Sequence, residues 1–125
     1  MITIARCGYD DIRHFVPRAK SEQLTFAKST ELYAVYLGNK MIGMCGLILH
    51  GKSCVFKNAY LSPEYRGKGY YKYMLEERVK LARSKGITTI TANCTPDSIR
   101  SFMNRGFQAT KIYKNGVIKA VKKYE

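Results

Sequence analysis

Apolar and polar residues alternate over residues 2–7, Ile2 and Ile4 against Thr3 and Arg6, which is the period of a strand with one buried face. Asp10 and Asp11 offer N-terminal caps to a helix carrying Ile12, Phe15 and Val16, which Pro17 interrupts, and a weaker helical stretch is expected over 21–28. Residues 31–37 and 40–50 read as strands joined by Gly38-Asn39, a pair suited to the positive dihedrals of a hairpin turn, and 52–61 continue them as a third strand after a turn at 50–52. Pro63 ends that strand. Over 69–85, Tyr71, Met74, Leu75, Arg78, Val79 and Ala82 recur at three- and four-residue spacing, with Lys72, Glu76, Lys80 and Arg83 on the other side, so the spacing predicts a long helix with one packed face. Gly86 terminates it. Residues 87–94 read as a buried strand rich in β-branched residues, 97–104 as a short helix before Gly106-Phe107, and 108–113 with 117–123 as a hairpin about Asn115-Gly116.

The order β-α-α-β-β-β-α-β-α-β-β predicts an α/β (α+β) fold: a mixed, mainly antiparallel sheet flanked by about four helices. The helix at 69–85 forms one crossover, expected to be right-handed and to set the fourth and fifth strands side by side and parallel. The chain's 125 residues suit one core, so 1–125 is expected to be a single domain. The longest apolar-leaning stretch, 41–49, is broken by Gly43 and Gly46 and is about half of a membrane span. The start carries no basic flank followed by an apolar run and cleavage site, so a cytoplasmic protein without membrane association is expected, as monomer or homodimer.

Charge changes the picture. Twenty-two Lys and Arg against nine Asp and Glu give a net +13. Arg100, Arg105, Lys111, Lys114, Lys119, Lys122 and Lys123 face Glu125 alone in the last stretch. Such an excess suits a polyanion, DNA or RNA, or simply a solvated face. Cys7, Cys45, Cys54 and Cys94 are widely spaced and form no Cys-x-x-Cys pair, so no metal site is expected; Cys45 and Cys54 read as buried small hydrophobes, and Cys94 is held apart as a candidate for proton handling or orientation.

Candidate chemistry gathers where the third hairpin strand ends. In Pro63-Glu64-Tyr65-Arg66-Gly67-Lys68-Gly69 a turn with two glycines leads into the long helix. The N–H groups of a helix N-terminus lack intrahelical partners, its dipole is positive there, and glycines admit a phosphate close to the main chain. Arg66 and Lys68 add full charges. Alone, Arg-x-x-Gly is a weak signal; the strand before it and the helix after it raise it.

With Leu61, Pro63, Arg66, Gly67, Lys68 and Gly69 in this context, the sequence resembles the GNAT superfamily of acyl-CoA-dependent N-acyltransferases, and the element order matches over nearly the whole chain. The resemblance implies that main-chain groups of Tyr60, Leu61 and Ser62 hold the pantetheine arm of acetyl-CoA or another acyl-CoA. It likewise implies that Arg66, Gly67, Lys68, Gly69, Tyr70 and Tyr71 surround the pyrophosphate. Two departures stand out. Tyr71 replaces a usually small residue, and Phe102 occupies the place where the family commonly has a tyrosine that protonates the leaving thiolate.

The fourth and fifth strands carry no Asp or Glu, so no strong general base is visible. A lysine amine, with a pKa of about 10.4, needs such a base far more than an α-amino group at about 7.7 to 8.0 or the exocyclic amine of a nucleobase. Tyr113, Asn93, Cys94 and Tyr60 remain as candidates for proton handling or orientation, each with an ordinary packing role as the alternative. The expected activity is transfer of an acyl group, such as acetyl, to an amine on or near a nucleic acid. Two other readings stay open: acetylation of a small amine or protein N-terminus, and a non-catalytic nucleic-acid-binding module.

Overall fold

The computed structural model describes residues 1–22 and 24–124. Seven strands form one sheet: β1 (Ile2–Cys7), β2 (Glu31–Leu37), β3 (Lys40–His50), β4 (Ser53–Leu61), β5 (Thr89–Cys94), β6 (Gln108–Ile112) and β7 (Ile118–Lys123). Their spatial order is β1-β2-β3-β4-β5-β7-β6. All neighbours are antiparallel except β4 and β5, the parallel pair that the crossover predicts.

Side chains alternate between two cores, as strand geometry requires. On one face Tyr33, Val35, Cys45, Leu47 and Phe56 pack under α3 (Tyr70–Ser84) and α4 (Ile99–Met103). On the other, Leu32, Ala34, Met44 and Tyr60 meet Ile12, Phe15, Val16 and Ala19 from α1 (Tyr9–Ile12), a 3-10 turn and α2 (Val16–Ser21). Both faces of β2 and β3 are buried, which is why those strands read as nearly continuous apolar runs. Pro17 falls in the first turn of α2, where its missing N–H has no helical partner to lose.

The helix expected over 21–28 does not form. The N–H of Glu22 donates to Arg18 and Ala19 carbonyls and that of Leu24 to Ala19 at 3.0 Å, closing α2 at Ser21. Leu24 and Phe26 then pack from an irregular segment, while Gln23 lies outside the described residues. The fifth strand likewise starts later than position 87, because the Ile87 N–H turns back to the Ala82 carbonyl at the end of α3 (3.1 Å). No helix among the described residues is long and apolar enough to cross a membrane.

What positions the site is the parting of β4 from β5. The two pair from Ser53/Thr89 to Phe56/Ala92 and no further, while β4 runs on to Leu61 beside β3 and β5 to Cys94 beside β7. Between Gly46↔Lys57 and Met44↔Tyr60 the register slips, so Asn58 and Ala59 bulge opposite Cys45. Asn58 adopts φ 57°, the left-handed region that asparagine tolerates better than most residues. Gly43 permits the tight crossing beside the bulge, where an added Cβ would lie 2.1 Å from the Tyr60 carbonyl oxygen.

Candidate acyl-CoA site

Beyond β4, Pro63–Tyr65 form a single 3-10 turn and Gly69, at φ 84°, is the N-cap of α3. Among the described residues no side chain caps that end, so the amides of the first turn stay open to an anion. Arg66 lies across the approach. Its Nε donates to the Leu61 carbonyl and its Nη2 to Glu22 Oε1, both at 2.8 Å, and its guanidinium carbon is 5.2 Å from the centre of the Tyr60 ring. Glu22 also accepts from Arg18 Nε at 2.8 Å. Hydrogen bonds from Arg66 first, then from Arg18, hold the Glu22 carboxyl below its ordinary value.

Two connected cavities fill the gap between the strands. The outer, about 360 Å³, runs from Arg66, Gly67 and Gly69 past Tyr60 and Leu61 to Tyr71 and Ser98. The inner, about 230 Å³, shares Ala59, Tyr71 and Ser98 with it and continues to Asn58, Arg78 and Asn93. Lined in turn from the N-terminus of α3 to Asn93, they suit an arm entering from the helix N-terminus, and their size is that of a ligand cleft.

The residues singled out in the sequence fall in different places. Tyr60, Leu61, Arg66, Gly67, Gly69 and Tyr71 line the outer cavity. The Ser62 N–H is committed to the Ile42 carbonyl at 2.8 Å, and Lys68 is an exposed cation of the turn. Tyr70 turns to the opposite side of the helix, towards Tyr73 and Leu37. The bulky Tyr71 turns its phenol into the cleft, where burial raises its pKa and the nearby Arg78 charge partly offsets the rise. Asn93 stands exposed at the inner rim. Cys94 is buried, and burial pushes its thiol up to about 11, so it is neutral at physiological pH. Tyr113 is 37% exposed on the β6–β7 hairpin and is not among the residues lining either cavity. Phe102 is buried edge-on against Phe107, ring centres 5.1 Å apart, and its unsubstituted ring faces the inner cavity.

Several lining residues escaped the sequence reading. Glu22 and Asp97 bring carboxylates to the outer cavity from outside the strands. Ser98 joins both cavities from the turn before α4. Arg78 was visible as a cation on the packing face of the long helix, a placement that calls for a partner. Asn58 gave no signal.

The sequence profile of the Acetyltransferase (GNAT) family matches residues 3–107, and the chain belongs to that family. Among curated proteins no sequence matches significantly. Solved structures share the fold at low identity. An IAA acetyltransferase from Bacillus cereus superposes with TM-score 0.76 at 16% identity, over 98% of this chain and 99% of that one. The ribosomal-protein-S18-alanine N-acetyltransferase from Escherichia coli gives 0.77 at 13%, covering 100% and 95%. A PaiA N-acetyltransferase from Thermoplasma acidophilum, in complex with coenzyme A, gives 0.76 at 16%, with 99% of each chain covered.

Proposed function

We propose that this chain transfers an acyl group from acyl-CoA to an amine that is already largely neutral near pH 7. The observation that carries the reading is the uncapped N-terminus of α3 behind Gly67 and Gly69, opening into the gap where β4 leaves β5. These residues fit the cofactor: open amides and the charges of Arg66 and Lys68 for the pyrophosphate, and the walls between Tyr60, Leu61 and Tyr71 for the pantetheine arm. Bound acyl-CoA supplies a thioester whose carbonyl carbon accepts the amine and whose thiolate leaves.

The remaining work falls to this chain's side chains. Tyr71 keeps its proton at neutral pH, because burial disfavours the phenolate, and lies where a thiolate would depart. It takes the role that Phe102 lacks. Asn93 and Tyr60 orient the reactants from the two ends of the cleft, whereas Cys94 and Tyr113 are the weaker candidates on burial and position. Glu22, held ionised by two arginines, is a poor base, and that favours an acceptor needing little deprotonation.

The net +13 favours an acceptor on, or associated with, a nucleic acid. The β6–β7 hairpin supports this: it carries Lys111, Lys114 and Lys119, and Lys119 pairs with Asn93 at the cleft rim. A small amine or protein N-terminus is the competing acceptor. Calorimetry with acetyl-CoA is expected to give saturable binding that Arg66→Ala combined with Gly69→Asp abolishes while the far-ultraviolet spectrum persists. Unchanged affinity in the double variant would sink the cofactor assignment. Mass spectrometry after incubation with labelled acetyl-CoA and pools of DNA, RNA, peptides and polyamines then identifies the acceptor, and label only in peptides or polyamines would rule out the nucleic-acid arm.

A further inference from the structure

Arg78 is the largest fully buried side chain of the protein, 1% exposed, and among the described residues it has no ion pair. Its guanidinium carbon stacks 4.5 Å from the centre of the Phe56 ring, while its Nε has no hydrogen-bond partner among the described residues. The nearby Cys45, Cys54 and Cys94 do not neutralise it. Burial pushes each of those thiols up to about 11, so all stay uncharged, and Tyr71 stays protonated for the same reason. A second donor meets it at the same place. Asn58, 5% exposed and held at φ 57° by the β4 bulge, leaves its Nδ2 without a partner. Both side chains line the inner cavity, and among the described residues no carboxylate lines it with them.

A buried cation whose Nε and a buried amide whose Nδ2 find no acceptor among the described residues, both facing one cavity, are costly unless something supplies those acceptors. We propose that Arg78 and Asn58 form a carboxylate-binding subsite at the inner end of the cleft, so that one of the two reactants carries a carboxylate near its reacting atom. The two oxygens of a carboxylate suit an arginine edge plus an amide N–H, and about 230 Å³ admits a group of that size beside the thioester. The carboxylate arrives either on the acyl chain, as in a dicarboxylic acyl-CoA, or on the acceptor, as in an amino acid. Only the first source is compatible with a nucleic-acid acceptor. This inference rests on the acyl-CoA reading above.

The test compares wild type, Arg78→Met, Arg78→Lys and Asn58→Gly, the last removing the amide without straining the backbone. Acetyl-CoA and succinyl-CoA are compared by calorimetry. Glycine and glycinamide are compared as acceptors with acetyl-CoA, each preference being expressed as the ratio between wild type and variant, which cancels the different amine basicities. The expected result is that wild type favours one carboxylate form, that Arg78→Met and Asn58→Gly each lower that preference at least tenfold, and that Arg78→Lys retains part of it. A change in acetyl-CoA affinity common to both members of a pair cancels in each ratio. A gain confined to succinyl-CoA assigns the acyl chain, and one confined to glycine assigns the acceptor. If wild type binds acetyl-CoA but shows neither preference, or if the variants keep the wild-type ratios, the subsite is overturned and Arg78 is a packing residue. Failure of acetyl-CoA to bind wild type would instead overturn the cofactor reading. Should Arg78→Met not fold, Asn58→Gly alone decides.

Discussion

Glu22 and Arg66 meet at 2.8 Å across the mouth of the cleft, joining the end of α2 to the turn before α3. The carboxylate thus occupies the cation that the resemblance assigns to a pyrophosphate. An incoming diphosphate must share Arg66 with a like charge or displace it.

Glu22→Gln is therefore expected to tighten coenzyme A binding several-fold, with a flatter salt dependence of the wild-type difference, measured by calorimetry at two ionic strengths. Weaker binding would mean that Glu22 positions Arg66 rather than competing for it. The stability effect is small, less than about 1 kcal/mol for so exposed a pair. Its pH sign is fixed by the lowered pKa of Glu22: the contribution is present above the unfolded carboxyl value and disappears as pH falls through the folded one. Wild type should lose more stability than Glu22→Gln between about pH 5 and about pH 3.

Gly43→Ala tests whether the bulge makes the site. The new Cβ would sit 2.1 Å from a main-chain oxygen of Tyr60, which cannot rotate away, so β3 and β4 must separate. We expect destabilisation of about 3 kcal/mol, the upper end for overpacking, in urea unfolding. Coenzyme A affinity should fall in the folded fraction as well. A variant of wild-type stability would show that the bulge relaxes freely and does not hold the cleft open.

How much of this was legible in the chain depends on range. The Gly38-Asn39 and Asn115-Gly116 turns, the long helix and the Arg66–Gly69 turn are local signals, each decided within a few residues, and each stands where the pattern puts it. The segment after α2 misleads, because its residues mark a helix only weakly and Leu24 and Phe26, two apart, are satisfied one by one against the first helices. Asn58 is silent in sequence, since its dihedral follows from the mismatch of β3 and β4 rather than from its neighbours. Tyr71 stands where the family usually has a small residue, and the splay of β4 and β5 leaves room for it inside.

The thiols predict alkaline behaviour. Burial pushes Cys45, Cys54 and Cys94 each up to about 11. A raised folded pKa contributes stability that is complete below the unfolded value, about 8.5, and is lost as pH rises through the folded one. Denaturant midpoints should fall steadily from about pH 9 to about pH 11. Replacing the three thiols by alanine lowers stability at neutral pH through lost packing but should flatten that alkaline slope. In the native protein at pH 8, a disulfide reagent is expected to modify half-buried Cys7 first and the other three only on unfolding. Prompt reaction of all four thiols would contradict their burial.

Tyr71 and Tyr113 can be separated by paired substitutions. The Tyr71 phenol lies in the cleft shared by both cavities, is kept protonated by burial, and feels the Arg78 charge that would favour its phenolate after proton transfer. Tyr113 sits outside both cavities, with Lys111 4.8 Å from its ring centre. A group that protonates the departing thiolate acts in the transition state only, so Tyr71→Phe should lower kcat by about 100-fold with little change in KM for acyl-CoA. Tyr113→Phe should leave kcat within twofold. The distinguishing readout is the leaving group: with an activated thioester whose thiolate needs no proton, the Tyr71→Phe deficit should shrink towards unity, whereas a phenol that merely shapes the pocket would leave the same deficit with both donors. Equal kcat for wild type and Tyr71→Phe, or a loss appearing wholly in KM, would return the proton donor to Tyr60 at the outer end of the cleft and leave Asn93 to orient the reactants.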